Sequence, residues 1–526
     1  MSNKWMMATA CLAAIGTQAV AQTQYDAARL TGSELNGTAR FVGMGGAMGA
    51  LGADISVIGV NPAGIGLYRS NEVTATGGFN VTCTESGSGA QPMSDNRTRA
   101  SFDQAGFVYS TKIGNHTSLR YLNFGFNYRK SKNFNRVFKA GGLLDGLSQT
   151  QQMANLMAGA IHSVSEVDAI YDYRLGGSGN PYSPSGSNYP YLGVMGVRTE
   201  LVGVRKDESG LKGWNGDAYG YTSREEGGVQ QYDFNVSFNV EDRMYFGATL
   251  GVYDVDYKRY TYYTEDIYDG KHEGLYDLQN SFRTEGTGVD LKLGAIFRPI
   301  EDSPFRFGVA VHTPTWYTLT DTYWSDLYSE IQFDGEAGVS KAEEYTPDYV
   351  GGSSLRDYEL RTPWKFNASL GTVVGGIMAL GAEYEFADYG SSKLYYDGGD
   401  EMELQNQIIK EDLKGVHTLR VGMETRISPA FSLRAGYNYT TSGFEKTAYK
   451  ALDWNDMRTD TEYTNDLDRH TVAVGLGYRG RSFFVDMAYK YDLQKSDFYA
   501  FSADALQAAK VDNERHQVLL TAGFRF

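Results

Sequence analysis

Three parts of the sequence have residue types and spacings that could do chemistry. FVGMGGAMGALGADISVIGVNPAGIGLY, residues 41–68, holds the glycines that a phosphate-cradling loop needs. Such a loop opens a helix just after a strand with the spacing G-x-G-x-x-G, which brings backbone N–H groups to a pyrophosphate. Met48 breaks that spacing and no βαβ unit surrounds it, so phosphate cradling is rejected. DWNDMRTDTEYTNDLD, residues 453–468, concentrates the carboxylates that calcium prefers. It lacks the glycine and the spaced glutamate of an EF-hand and reads as a solvated acidic loop. The seven histidines are scattered without paired ligand spacing. His162 and His272 fall in long connections where axial ligation of haem is the one chemistry open to them, which keeps haem uptake as an alternative. No G-x-S-x-G elbow is present. The sequence therefore assigns no catalytic residue, no metal and no cofactor, and the chain reads as a non-enzyme.

Composition narrows the class of molecule. The 526 residues carry a net charge of −16, which offers no basic field to a nucleic acid. Tyrosine (39) and glycine (62) are abundant and proline (11) is scarce, a profile of long strands with aromatic rims. The N-terminus pairs Lys4 with an apolar run from Trp5 to Ile15 and ends in Ala19-Val20-Ala21, so residues 1–21 read as a cleaved export signal. Cys11 raises a lipoprotein alternative, but Ala8-Thr9-Ala10 before it lacks the usual leucine. With Cys11 removed, Cys83 is the sole cysteine and no intrachain disulfide forms.

The elements that position these residues are strands. No apolar run of 18 residues follows the signal, which excludes a membrane-spanning helix. Alternation takes its place: Leu419, Val421 and Met423 share one face, Arg420, Gly422 and Glu424 the other. Segments of this kind recur near 72–81, 103–111, 119–129, 230–240, 243–256, 287–298, 304–313, 365–374, 376–387, 416–427, 430–441, 470–479, 481–492 and 516–526. That is about fourteen strands, an even number, each spanning roughly 23 Å when tilted. Short links such as VVGGIM and RISPAF alternate with long ones over 82–102, 130–229, 257–286, 314–364, 388–415, 442–469 and 493–515. This is the pattern of an all-β transmembrane antiparallel barrel with its tight turns on the periplasmic side. The polar face is rich in Gly, Ala and Ser with charges of both signs, among them Asp290, Lys292, Glu383, Arg420, Arg434 and Asp486. Small residues with mixed charges suit a lumen that holds something.

What it holds is the glycine-rich stretch. Residues 22–71 precede the first strand and are too apolar for a free linker, so they are expected to pack inside the barrel as a hatch, with residues 72–526 forming the barrel and its loops. Asn61-Pro62-Ala63-Gly64 forms its defined turn. There Asn61 is the expected lock, with Arg420 or Arg434 as candidate partners. On the longest connection, Leu143, Leu147, Met153, Leu156 and Met157 recur at helical spacing and offer a landing surface for a lipophile. The tyrosine-rich 171–193 reads as a rim or lid.

The signal, the run ARFVGMGGAMGALGADISVIGVNPAGIG, about fourteen strands and the terminal Phe526 together resemble the FadL/TodX family of outer-membrane transporters. The resemblance implies a fourteen-stranded barrel closed by a hatch whose Asn-Pro-Ala motif falls on Asn61, Pro62 and Ala63. It implies passive uptake of hydrophobic molecules such as long-chain fatty acids or aromatic hydrocarbons across a bacterial outer membrane, by a monomer embedded in lipid and lipopolysaccharide. Phe526 would end the strand read by the outer-membrane assembly machinery. FadL-like barrels that shuttle substrates for protein secretion supply the alternative. The long loop 130–229 and the acidic loops, Asp321, Glu336 and Glu344 among them, depart from the family pattern and leave the ligand open.

Overall fold

The computed structural model of the chain describes residues 21–87, 93–115, 117–182, 189–205 and 210–526. The expected signal peptide, apart from Ala21, lies outside the described residues.

Alternation produces the barrel, and the apolar set faces outward. Leu419, Val421 and Met423 are exposed while Arg420 between them is buried, and Val518, Leu520 and Phe524 are exposed while Leu519 and Thr521 are buried. A water-soluble sandwich would invert this order. The apolar outer band suits a bilayer.

Fourteen antiparallel strands among the described residues build the wall. In chain order they are Glu72–Gly87, Met93–Lys112, Leu119–Asn133, Gly216–Val240, Met244–Tyr268 and Glu273–Phe297. Arg306–His312 continues as Trp316–Gln332, and Ser354–Arg361 continues as Lys365–Val374. Met378–Asp388, Gly415–Arg426, Phe431–Thr440, Tyr463–Arg479, Phe483–Tyr499 and Ala509–Arg525 complete the set. The first strand pairs with the last from Glu72↔Arg525 to Gly87↔Lys510, so the sheet closes and leaves no edge. Pro314 and Pro363 sit at the two breaks, where a residue without an N–H cannot continue the ladder. Gly375 and Gly376, both with positive φ, make the tight turn within VVGGIM.

Several expected loops are strand. The strands Gly216–Val240, Met244–Tyr268 and Glu273–Phe297 each run 25 residues, so most of 257–286 is ladder rather than loop. The same holds for parts of 82–102, 314–364 and 493–515. Beyond the bilayer the outward face meets water, so the apolar–polar contrast fades while the hydrogen-bonded ladder continues. The sequence pattern stops where the contrast stops. Helices Gln149–Ala160, Val164–Tyr171 and Tyr191–Arg198 fill the long connection between the third and fourth strands and cap the long-loop end. The first begins at Ser148, whose side chain accepts from Thr150 N and so satisfies a free amide of the first turn.

Residues 21–71 run inside the barrel and are buried almost throughout. Helix Gln24–Thr31 lies among the long loops, and the chain then descends to the short-turn rim, where Asn71 N donates to Phe526 O at 3.2 Å. The sequence places the segment inside the barrel ahead of the first strand but does not say how far it extends. Its reach to the opposite end is set by contacts that only the folded chain assembles.

Candidate functional site

The lumen is built from two complementary surfaces. On the wall, inward glycines leave room for backbone. A Cβ at Gly436 would lie 2.1 Å from Gly45 N, one at Gly422 2.1 Å from Met44 O, and one at Gly381 2.0 Å from Ala47 O. Contacts this close are possible only where both sides present main chain. On the segment, Gly45 and Gly46 take positive φ and fold Phe41–Ala47 tightly enough to fit. Phe41, Met44, Met48, Leu51, Ile55, Val57, Ile58 and Ile65 then bury one another in a small core of their own.

Polar contacts hold the segment to the wall. Arg40 donates to both oxygens of Glu424 at 2.8 and 3.0 Å, and Arg434 donates to the same carboxylate at 2.6 Å. Arg434 also pairs with Asp486 at 2.8 Å. Glu383 accepts from Gly49 N at 3.0 Å, Arg306 donates to Leu51 O at 3.0 Å, and Lys490 donates to Leu35 O at 2.8 Å. The charges placed in the lumen by alternation are therefore buried and paired, including Lys292 with Asp290 and Asp233 at 2.8 and 2.9 Å.

The Asn-Pro-Ala-Gly turn docks elsewhere than on the arginines. Asn61 is fully buried and caps the short helix Pro62–Leu67, its Oδ1 accepting from Ala63 N at 3.2 Å and its Nδ2 donating to Ala295 O at 3.3 Å. Pro62 O accepts from Ser237 Oγ at 3.0 Å, and His312 Nε2 lies 2.9 Å from Val60 O. Arg420 instead pairs with Glu383 and Glu385, and Arg434 with Glu424 and Asp486. Neither expected partner meets Asn61. The strands that do meet it carry Gly247 and Gly294, where a Cβ would fall 2.4 Å from Pro62 C and 2.1 Å from Asn61 Oδ1. Ala63 and Gly64 are buried in the same turn.

The expected landing stripe is spent on packing. Met153 and Met157 are fully buried against helix Tyr191–Arg198, Leu147 and Leu156 are half-buried, and only Leu143 is exposed. Of the tyrosine-rich stretch, residues 183–188 lie outside the described residues, while Tyr182 and Tyr191 are buried and stacked edge-to-face. His272 packs against Trp214 and faces Asp269 at 2.9 Å, and His162 is exposed with its backbone N–H on Glu166.

The acidic stretch 453–468 is not a solvated loop. Residues 455–463 are buried and enter the lumen from above. Arg458 donates to Asp26 Oδ2 at 2.6 Å, to Ala21 O at 3.0 Å and to both oxygens of Asp460 at 2.8 and 2.7 Å. Lys450 joins Asp460 at 2.6 Å, and Arg458 lies over the Phe282 ring at 4.5 Å. Arg458 and Lys450 are local, but Arg259, which pairs with Asp460, and Asp26, which pairs with Arg458, come from distant segments, which is why the sequence alone suggests solvent exposure. Among the described residues no group of three His, Cys, Asp or Glu side chains is placed to hold a metal.

Between the loop roof and the packed segment lies a cavity of about 360 Å³ beside Leu30–Leu35, Arg129, Lys132, Lys365 and Arg469. Ser33 is exposed within it.

No protein-family model and no curated protein matches the sequence. Solved structures do. A Pseudomonas aeruginosa FadL homologue superposes with a TM-score of 0.54 over 94% of this chain and 100% of its own, at 12% identity. The Ralstonia pickettii toluene transporter TbuX matches at TM-score 0.44, 13% identity, 94% and 99% coverage, and the P. putida toluene transporter TodX at 0.44, 10%, 94% and 99%. The chain has the FadL fold.

Proposed function

We propose that the protein is an outer-membrane channel for the passive uptake of hydrophobic molecules, gated by the segment 22–71. The observation that carries this reading is a lumen blocked by a docked segment directly beneath a cavity roofed by the long loops. A molecule captured from outside enters that cavity and moves on when the segment shifts. Long-chain fatty acids and aromatic hydrocarbons are the ligands to test first. The channel acts as a monomer in lipid and lipopolysaccharide, exported by its cleaved signal and assembled through the strand ending in Phe526. A strain lacking the gene is expected to lose uptake of a labelled fatty acid or aromatic hydrocarbon and to secrete proteins normally. Retained uptake with secreted proteins trapped in the periplasm would instead support a secretion shuttle.

Within this reading Asn61, Pro62, Ala63 and Gly64 form the gate, and the partners of Asn61 are neutral. Its loss removes hydrogen bonds worth about 0.5–1.5 kcal/mol each. Asn61→Ala is therefore expected to raise single-channel leak in planar bilayers by a few-fold, with the heat-resistant barrel band on gels unchanged. A leak equal to that of the parent would reduce the turn to packing.

A further inference from the structure

The cavity carries a charge opposite to that of the chain. Twelve lysines and arginines but only eight carboxylates line it, in a protein of net charge −16. Most of these cations are matched: Arg515 pairs with Glu34, Arg136 with Glu225, and Arg458 with Asp26 and Asp460. Four are not. Among the described residues Arg129, Lys132, Lys365 and Arg469 have no carboxylate within ion-pair distance, and their protein partners are neutral. Arg129 donates twice to Gln231 Oε1 at 3.1 and 2.9 Å, and Arg469 twice to Gln494 Oε1 at 3.2 and 2.6 Å. Lys132 donates to Arg29 O at 2.5 Å and Lys365 to Thr31 O at 3.1 Å. An ammonium has three donors and a guanidinium five, so each group keeps donors for something else.

The placement is as telling as the count. The four residues stand on three strands around the turn Leu30–Leu35, Arg129 and Lys132 together on Leu119–Asn133, and there the segment itself contributes carbonyls and the exposed Ser33. A neutral hydrocarbon would leave four cations in a closing cavity without counter-charge, which low-dielectric surroundings penalise. A monocarboxylate would answer one of them.

We infer that this cavity binds a phosphate monoester, whose dianion and three acceptor oxygens match the unmatched donors of Arg129, Lys132, Lys365 and Arg469. The inference rests on the uptake reading and specifies its cargo: a phosphorylated amphiphile or a free phosphate, distinguished by the tail.

The test is calorimetric titration of the purified full-length mature protein with hexyl phosphate, hexanoate, hexanol and inorganic phosphate. Hexyl phosphate is expected to bind at least about tenfold more tightly than hexanoate and to weaken with rising salt, because dissolved anions compete for the same four cations. Inorganic phosphate matching hexyl phosphate would identify a free anion as the cargo, and a weaker affinity would identify a tailed one. Lys132→Met and Arg469→Met should each lower hexyl phosphate affinity about tenfold and leave hexanol unchanged. Equal binding of hexyl phosphate and hexanol, or salt-independent binding to the parent protein, would overturn the inference even if a variant failed to fold. Loss of lipophile uptake in the deletion strain without phosphate preference would sink this inference alone. Phosphate binding with uptake intact in that strain would sink the uptake reading alone.

Discussion

Gly436→Leu is expected to open the channel without unfolding the barrel. The new side chain would begin 2.1 Å from Gly45 N and 2.3 Å from Met44 C, both main-chain atoms of the docked segment that cannot rotate away. Overpacking of this kind costs about 1–3 kcal/mol, which corresponds to about a 5- to 150-fold rise in the undocked fraction. The wall tolerates the change because its strands are held by a closed ladder, with Gly436 paired to Gly422 on one side and Ala473 on the other. Ala435→Leu, one residue along the same strand with its side chain on the opposite face, is the control and should be silent. Planar-bilayer leak and the heat-modifiable gel band read the two effects separately. A Gly436→Leu channel as tight as the parent would show that the segment does not seal the lumen.

The same glycines explain how much the sequence disclosed. Period-two alternation located all fourteen strands because each crosses a bilayer whose apolar interior demands a contrast between faces. The inward face rich in Gly, Ala and Ser indicated a filled lumen, and Gly381, Gly422 and Gly436 now stand against Met44–Ala47. Alternation could not reveal where the strands end, since Tyr257, Tyr263 and Tyr276 extend the ladder into the long-loop end, where the contrast is lost.

The site was less legible because its chemistry is assembled across the chain. Asn61 was visible as a capped turn, but its partner Ala295 O lies 234 positions away and is a backbone atom that no sequence pattern marks. Arg129 and Lys132 share one strand, Lys365 and Arg469 stand on two others, and nothing in their local spacing sets them apart from the paired cations. Of the apolar stripe, Met153, Leu156 and Met157 lie on helix Gln149–Ala160 while Leu143 and Leu147 precede it, and such a stripe looks the same whether it awaits a ligand or packs against helix Tyr191–Arg198. The acidic run 453–468 reads as solvated only while Arg259, Asp26 and Phe282 are unseen.

Arg458→Met is expected to release that acidic stretch together with the N-terminal helix. Arg458 is buried and counters Asp26 and Asp460, so removing it leaves two carboxylates without their main counter-charge, at a cost of about 3–5 kcal/mol. Despite burial, which pulls the other way, Arg458 and its neighbours hold both carboxyls well below the usual range. Their contribution is present above about pH 4 and lost in stronger acid. Burial acts unopposed by cations of that strength on Asp453 and Asp456, pushing them up to about 6 and about 8 from 3.8. Groups raised in this way stabilise the packed stretch below about pH 4 and lose that contribution as pH rises through about 6 and about 8. A cysteine at the buried Asn455, in a Cys83→Ser background, reports both effects through maleimide labelling, scaled to a cysteine at the exposed Asp334. Scaled labelling of the parent should accelerate between pH 6 and 8.5. At pH 6 Arg458→Met should accelerate it at least about hundredfold, and adding Asp460→Asn should restore part of the protection by removing one stranded charge. Labelling unchanged by Arg458→Met would mean that the stretch is held by Lys450 and Arg259, and that Arg458 is not the pin joining roof to hatch.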